Sequence, residues 1–204
     1  MPTILVETLA PREAYRLFVS LVIPRPIGWV STLGADGTRN LAPFSFFNAV
    51  GGPPPTVMVS IGRRRGQEKD TLRNLREQGE GVVHLVDEHL VAAANLTSGE
   101  WEYHLDEFAL AGLATIPSIL VAPPRLRDAA AAMECRVTQI IPVDGTEYTL
   151  VLGRVLCFHL RDELLAADGL VDARALRPVA RLGRDEYTTL GEIFALARPV
   201  SYPR

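Results

Sequence analysis

The densest group of chemically capable side chains runs from Arg63 to Thr71, R-R-R-G-Q-E-K-D-T, and includes Lys69, the single lysine among 21 Lys and Arg residues. Four cations lead into D-T-L-R-N-L-R-E-Q-G, which reads as the start of a helix closed by Gly79. The first amides of a helix have no intrahelical acceptor, and the macrodipole favours negative charge there, so this arrangement suits an anion and above all a phosphate. An Arg-rich loop that is simply solvated gives the same pattern. The surrounding residues must decide between the two.

Within about forty residues, Ser31, Thr32, Ser45, Asn48, Ser60 and Thr71 supply short hydrogen-bonding groups, and Trp29, Phe44, Phe46 and Phe47 supply flat apolar surface. A ligand that meets all three chemistries carries a phosphate at one end, hydroxyls in the middle and a planar, polar-edged ring at the other. Flavin mononucleotide (FMN) fits that description. The aromatic residues also fit an ordinary β core, and Ser and Thr occur in strands without any ligand.

Several other chemistries lack their signatures. There is no G-x-G-x-x-G after a strand, no G-x-x-x-x-G-K-[ST], no G-x-S-x-G and no H-E-x-x-H. His84, His89, His104 and His159 show no metal-ligand spacing with one another or with Cys135 and Cys157, so no metal site is expected. His104, in W-E-Y-H, is either a surface residue or a contact to a bound ring.

The chain of 204 residues is 48% hydrophobic, enough for one large domain spanning 1–204, and its formal charge of −3 removes the bulk electrostatic case for nucleic acid. No apolar run approaches the ~18 residues of a membrane span. The N-terminal residues lack the pattern of an export signal, and two cysteines are too few for a disulfide scaffold. A cytoplasmic protein with free, buried thiols is expected.

Residues 11–21 open with Pro and place Tyr15, Phe18 and Val22 at helical spacing, which predicts a short amphipathic helix. The segments I-G-W-V-S-T-L and R-N-L-A-P-F-S-F-F flank G-A-D-G-T and predict a hairpin. With Asp36 and Gly37 at the centre of the turn, Ser31 pairs with Ala42, Trp29 with Phe44 and Leu33 with Asn40. Pro43, which has no N–H, is expected to break the ladder and expose backbone groups of Phe44 and Ser45. Strands follow at 56–62 and in G-V-V-H-L-V-D, and a long second hairpin is built around V-D-G-T-E, although its alanine run could begin as helix. Residues 98–118 resist assignment. Strands outnumber helices and are mostly joined by hairpins, which predicts a mainly β, antiparallel barrel with peripheral helices.

The ordered combination of Arg25-Pro26, Trp29-Val30-Ser31-Thr32, Asn40 to Asn48 and Lys69-Asp70-Thr71 resembles the flavin reductase-like, FMN-binding split-barrel family, in particular its flavoredoxin branch. The resemblance implies a Greek-key-like split β-barrel, FMN near the interface of a homodimer, and reduction of flavin by NAD(P)H or by a redox protein partner. It implies as cofactor-binding residues Trp29, Ser31, Thr32, Ala42, Pro43, Phe44, Ser45, Asn48, Ser60, Arg63, Lys69 and Thr71. No side-chain acid or base is implied as catalytic, because hydride chemistry belongs to the flavin. Three functions follow as expectations: an NAD(P)H-dependent flavin reductase, a flavoredoxin-like electron carrier, or a non-enzymatic flavin-binding module.

Overall fold

The computed structural model describes residues 1–199. Its main element is a seven-stranded sheet, which we number β1 (Gly28–Leu33), β2 (Arg39–Phe44), β3 (Phe47–Gly51), β4 (Thr56–Gly62), β5 (Glu80–Leu85), β6 (Ala131–Pro142) and β7 (Tyr148–Leu160). The strand order is β2-β1-β5-β6-β7-β4-β3, and every neighbouring pair is antiparallel. The edge strands β2 and β3 are separated by Ser45 and Phe46 alone. In a flat sheet, six strand spacings would part the edges by roughly 29 Å, whereas the link between Phe44 and Phe47 reaches only about 10 Å. The sheet is therefore rolled into a barrel, split along the seam between β2 and β3.

Across that seam, a Cβ on Gly28 would lie 2.8 Å from the Phe47 ring, so the absence of a side chain at 28 allows β1 and β3 to approach. The barrel interior is filled by Val30, Phe44, Phe47, Val59, Ile61, Val83, Val151 and Val155, closed at one end by Leu72 and Leu75. A second apolar layer on the outer face of β1 and β2 holds Trp29 and Leu41 against Phe108, Leu126, Val179 and Ala94.

The register of the first hairpin differs by one residue from the sequence expectation: Ser31 pairs with Leu41, Trp29 with Pro43 and Leu33 with Arg39. The cause is the turn. Gly34 and Thr38 close a three-residue loop in which Gly37 has φ +84°, a type I turn followed by a left-handed bulge residue rather than a two-residue turn. Because side chains alternate, the shift puts Trp29 and Ser31 on the face of Leu41 and Pro43, and Val30 and Thr32 on the face of Ala42 and Asn40. Pro43 does not break the ladder. It lies in an edge strand, where one side needs no donor, and the strand ends after Phe44.

Helix α1 (Pro11–Leu21) begins with proline, as expected, but its apolar face is not covered: Val19 is buried, whereas Phe18 is 54% exposed and Leu21 71%. Its end is held by Arg25, which is buried and donates to the carbonyls of Val19, Val22 and Leu182. Helix α2 (Asp70–Gln78) ends at Gly79 in the left-handed conformation, as its sequence requires. Short helices α3 (Val91–Leu96) and α4 (Glu107–Leu110) follow, and the alanine run enters β6 as strand. Among the described residues no helix is long and apolar enough to cross a membrane.

His84 ties β1 to the loop before β6. Its Nδ1 lies 3.0 Å from the Trp29 carbonyl and its Nε2 accepts from the Leu126 amide at 3.0 Å, which fixes the neutral tautomer with the proton on Nδ1. Burial pushes the imidazole down to about 4, against the Trp29 carbonyl, which favours a proton. The unfolded chain therefore binds the proton first as pH falls, so this contribution is complete above about 6.5 and is lost progressively toward 4. Urea unfolding should show a loss of roughly 1 kcal/mol between pH 7 and 5.5. In His84→Gln this part of the slope should disappear.

Candidate functional site

After β4 the chain makes a tight two-residue turn. Arg64 and Gln67 exchange both backbone hydrogen bonds at 2.8 Å, and Arg65 and Gly66 between them have φ of +49° and +76°. Such a turn needs positive φ at both central positions, which Gly66 adopts freely and Arg65 adopts at some cost. It folds the arginines back on the segment 97–103. Arg64 donates to the Trp101 carbonyl, Arg64 and Arg65 pair with Glu100 at 3.5 and 2.8 Å, and Arg63 donates to the Gly66 carbonyl.

Lys69 stands apart from these commitments. No ion pair among the described residues involves it, and as N-cap of α2 it offers no side-chain acceptor to the first amides. Asp70, in the first turn, is taken by Arg73 at 2.6 Å. The ammonium lies 5.6 Å from the centre of the Phe44 ring. More than a third of Lys69 is open to solvent, yet enough protein crowds its head that desolvation, joined by Arg64, lowers its pKa; Glu100 works the other way. A helix start with no side-chain cap beside a cation without an ion pair has electrostatics that favour an anion.

Lys69 also forms the ridge between two adjoining clefts. The first, of about 650 Å³, is bounded by the 63–69 turn, the start of α2, Ala42 to Phe44 of β2, and Trp101 and Tyr103; its lining includes Asn40, Thr71 and Glu107. The second, of about 840 Å³, shares Pro43, Lys69 and Ser98 with it and extends over Ser45 and Phe46 to Tyr15 and Arg16 of α1, Arg25, Arg184 and Tyr187. An apolar wall of Pro43, Phe44 and Phe46 thus meets cations at one ridge, the donor set that a planar ring with a charged tail requires.

Beneath the first cleft lies a buried polar network. Glu107 accepts from the Asn40 amide group at 3.1 Å and from the Leu41 backbone amide at 3.0 Å. The Asn40 carbonyl accepts from Thr71 at 2.7 Å and Thr32 at 3.1 Å, and Asn74 donates to the Thr32 hydroxyl at 3.1 Å. The network locks the start of α2 to the hairpin. Asn74 Oδ1 is buried and without a hydrogen-bond partner among the described residues. Burial raises the Glu107 carboxyl, opposed by the Leu41 amide and Asn40.

The sequence-derived residues separate into three groups. Ala42, Pro43, Phe44, Ser45, Arg63, Lys69 and Thr71 line the clefts. Trp29, Ser31 and Thr32 lie beneath the surface, with Trp29 donating to the Thr97 hydroxyl at 2.9 Å, Ser31 to the Pro124 carbonyl at 2.8 Å and Thr32 within the network. Asn48 and Ser60 sit on β3 and β4, outside the lining of both clefts. Glu107, Trp101 and Tyr103 were not expected: W-E-Y-H drew attention to His104, but that side chain is exposed, 3.9 Å from Asp36, and lines neither cleft. Elsewhere among the described residues, Glu134, Cys157 and His159 bring three groups able to ligate a metal within 4.8 Å of one another, a convergence that their spacing in the sequence does not show.

The model of the flavin reductase-like domain matches residues 20–180. Nitrilotriacetate monooxygenase component B from Bacillus cereus superimposes with a TM-score of 0.93 at 37% identity, over 96% of this chain and 98% of that one. The 2-nitrobenzoate 2-nitroreductase of Pseudomonas fluorescens gives 0.89 at 29% identity, over 100% and 99% of the two chains. Flavoredoxin of Desulfovibrio vulgaris (Miyazaki F) gives 0.75 at 25% identity, over 86% and 92%.

Replacing Glu107 by Gln keeps the shape but puts an amide donor against Asn40 or Leu41. Chemical denaturation should show a loss of about 1–3 kcal/mol. An unchanged midpoint would show that the network does not need the second acceptor.

Proposed function

The chain belongs to the flavin reductase-like domain family, and from that premise we propose that it is an FMN-binding oxidoreductase that reduces flavin with NAD(P)H. The observation that carries the reading is Lys69: a cation without an ion-pair partner among the described residues, at a helix start no side chain caps, on the ridge between two clefts that share Pro43, the first walled by Phe44 and the second by Phe46.

In this reading the phosphate sits against Lys69 and the first amides of α2, with Arg63 and Thr71 nearby. A compact ammonium suits a phosphate met end-on, whereas a guanidinium prefers a flat bidentate pose. The ring lies along Ala42 to Ser45, where the strand ends at the seam and backbone groups become available. Bound flavin supplies the hydride-accepting and hydride-donating chemistry, and the chain's own task is to bind, orient and shield it. Pro43 and Phe44 exclude water from one face, and the network from Glu107 to Thr71 keeps the phosphate end in place. Trp29, Ser31 and Thr32 act from below by fixing β1 and β2, while Asn48 and Ser60 are assigned to the cofactor on the resemblance alone. The second cleft leaves room for a nicotinamide beside the first.

A homodimer with flavin near the interface accounts for the uncovered apolar face of α1, which borders the second cleft, and for Phe194 and Leu196, 75% and 83% exposed. Free cysteines accord with a cytoplasmic location. A second reading, an electron carrier reduced by a protein partner, draws on the similarity to flavoredoxin.

Lys69→Ala should weaken FMN binding about 10- to 100-fold at moderate salt, with Lys69→Arg between it and the wild type. Isothermal titration of the flavin-free protein with FMN measures this, and equal affinity in all three proteins would overturn the phosphate assignment. Steady-state NADH and NADPH oxidation with added FMN tests the activity. Turnover at background with both would favour the electron carrier.

A further inference from the structure

The converging trio lies where β6 and β7 pair, away from both clefts. Cys157 and His159 are two apart on β7 and so share a face, while Phe158 between them points away and is 58% exposed. Glu134 on β6 is the cross-strand partner of Cys157, after an irregularity between Val155 and Cys157 shifts the ladder. His159 Nε2 lies 2.7 Å from Glu134 Oε1 and 3.4 Å from Cys157 Sγ, and all three candidate ligand atoms fall within 4.8 Å of one another. We propose that Glu134, Cys157 and His159 bind a thiophilic divalent cation, with zinc the best match, that fastens the 117–125 segment to the β6–β7 hairpin.

The donor set is sulfur, nitrogen and oxygen, which suits a borderline-soft ion with no geometric preference of its own. Zinc bond lengths at a tetrahedral angle require S···N about 3.6 Å and N···O about 3.4 Å. The observed 3.4 and 2.7 Å need only a modest outward swing of the imidazole. Glu134 is fully buried and already oriented: its two oxygens accept the backbone amides of Ile119 and Leu120 at 2.7 and 2.6 Å, the kind of outer support that fixes a metal-binding carboxylate. Cys157 and His159 keep some solvent access, which leaves a fourth position for water.

Charge works in the same direction. One carboxylate and one thiolate neutralise a divalent ion; binding breaks the Cys157 S–H bond, forms a metal–sulfur bond and releases that proton to solvent, while the Nε2 proton that His159 shares with Glu134 leaves to Nδ1 or to solvent so that Nε2 can ligate. Arg125 is the opposing cation. Its Nε is 3.8 Å from Glu134, but its guanidinium hydrogen-bonds to the Pro117 carbonyl at 3.2–3.3 Å and so is held by the loop.

The test is titration of the EDTA-dialysed full chain with zinc chloride by calorimetry, alongside Cys157→Ser and His159→Ala. The wild type should bind one zinc per chain with a Kd of about 1 μM or below, and each variant should bind at least about tenfold more weakly. Cadmium should give an ultraviolet thiolate-to-metal charge-transfer band in the wild type that Cys157→Ser lacks. Circular dichroism and retained flavin binding confirm that the near-isosteric Cys157→Ser is folded. Absence of saturable 1:1 binding by the wild type, or equal binding by both variants, would overturn the proposal.

Discussion

A positive charge crowded by protein and left without an acidic partner raises the free energy of the fold until an anion arrives. Among the described residues Lys69 has no ion-pair partner, and desolvation, joined by Arg64, lowers its pKa, with Glu100 acting the other way. Around it, every other cation of the basic loop is engaged: Arg64 and Arg65 by Glu100, Arg63 by the Gly66 carbonyl, and Arg73 by Asp70. The turn at Arg65-Gly66 accomplishes this sorting, because it directs the arginines toward the 97–103 segment and leaves the ridge between the clefts to the lysine.

The rest of the architecture brings an apolar wall to the same ridge. Rolling the sheet places the β2–β3 seam beside the start of α2, and the Asn40–Thr71 hydrogen bond holds them together. A single buried carboxylate, Glu107, supports that contact by accepting from Asn40 and Leu41. The cleft therefore stands on rigid strands and a hydrogen-bonded floor, as a site that must hold a ring in one orientation requires.

Local signals in the sequence were reliable where chemistry is local. Proline at the start of α1, glycine after α2, the strand at 56–62 and the long hairpin around V-D-G-T-E all found their places. The hairpin register did not, because A-D-G reads as a two-residue turn until the hydrogen bond from Gly34 to Thr38 shows three residues in the loop. That one-residue slip changes which residues of β1 and β2 share a face; Trp29 lies in the second apolar layer, and Ser31 is buried against the Pro124 carbonyl. Glu107 was beyond reach for another reason: its partners are 66 and 67 residues earlier, and no spacing rule connects them. The Glu134–Cys157–His159 cluster was missed because a Cys-x-His pair on a strand becomes a ligand pair only when a cross-strand partner completes it.

In this reading Lys69 and the uncapped start of α2 recognise the phosphate, and comparing FMN with riboflavin, the same ring and ribityl chain without the phosphate, tests that most directly. By calorimetry on the flavin-free protein, FMN should bind at least about 100-fold more tightly than riboflavin, with the advantage shrinking as salt rises. Equal affinity for the two at low salt would contradict it.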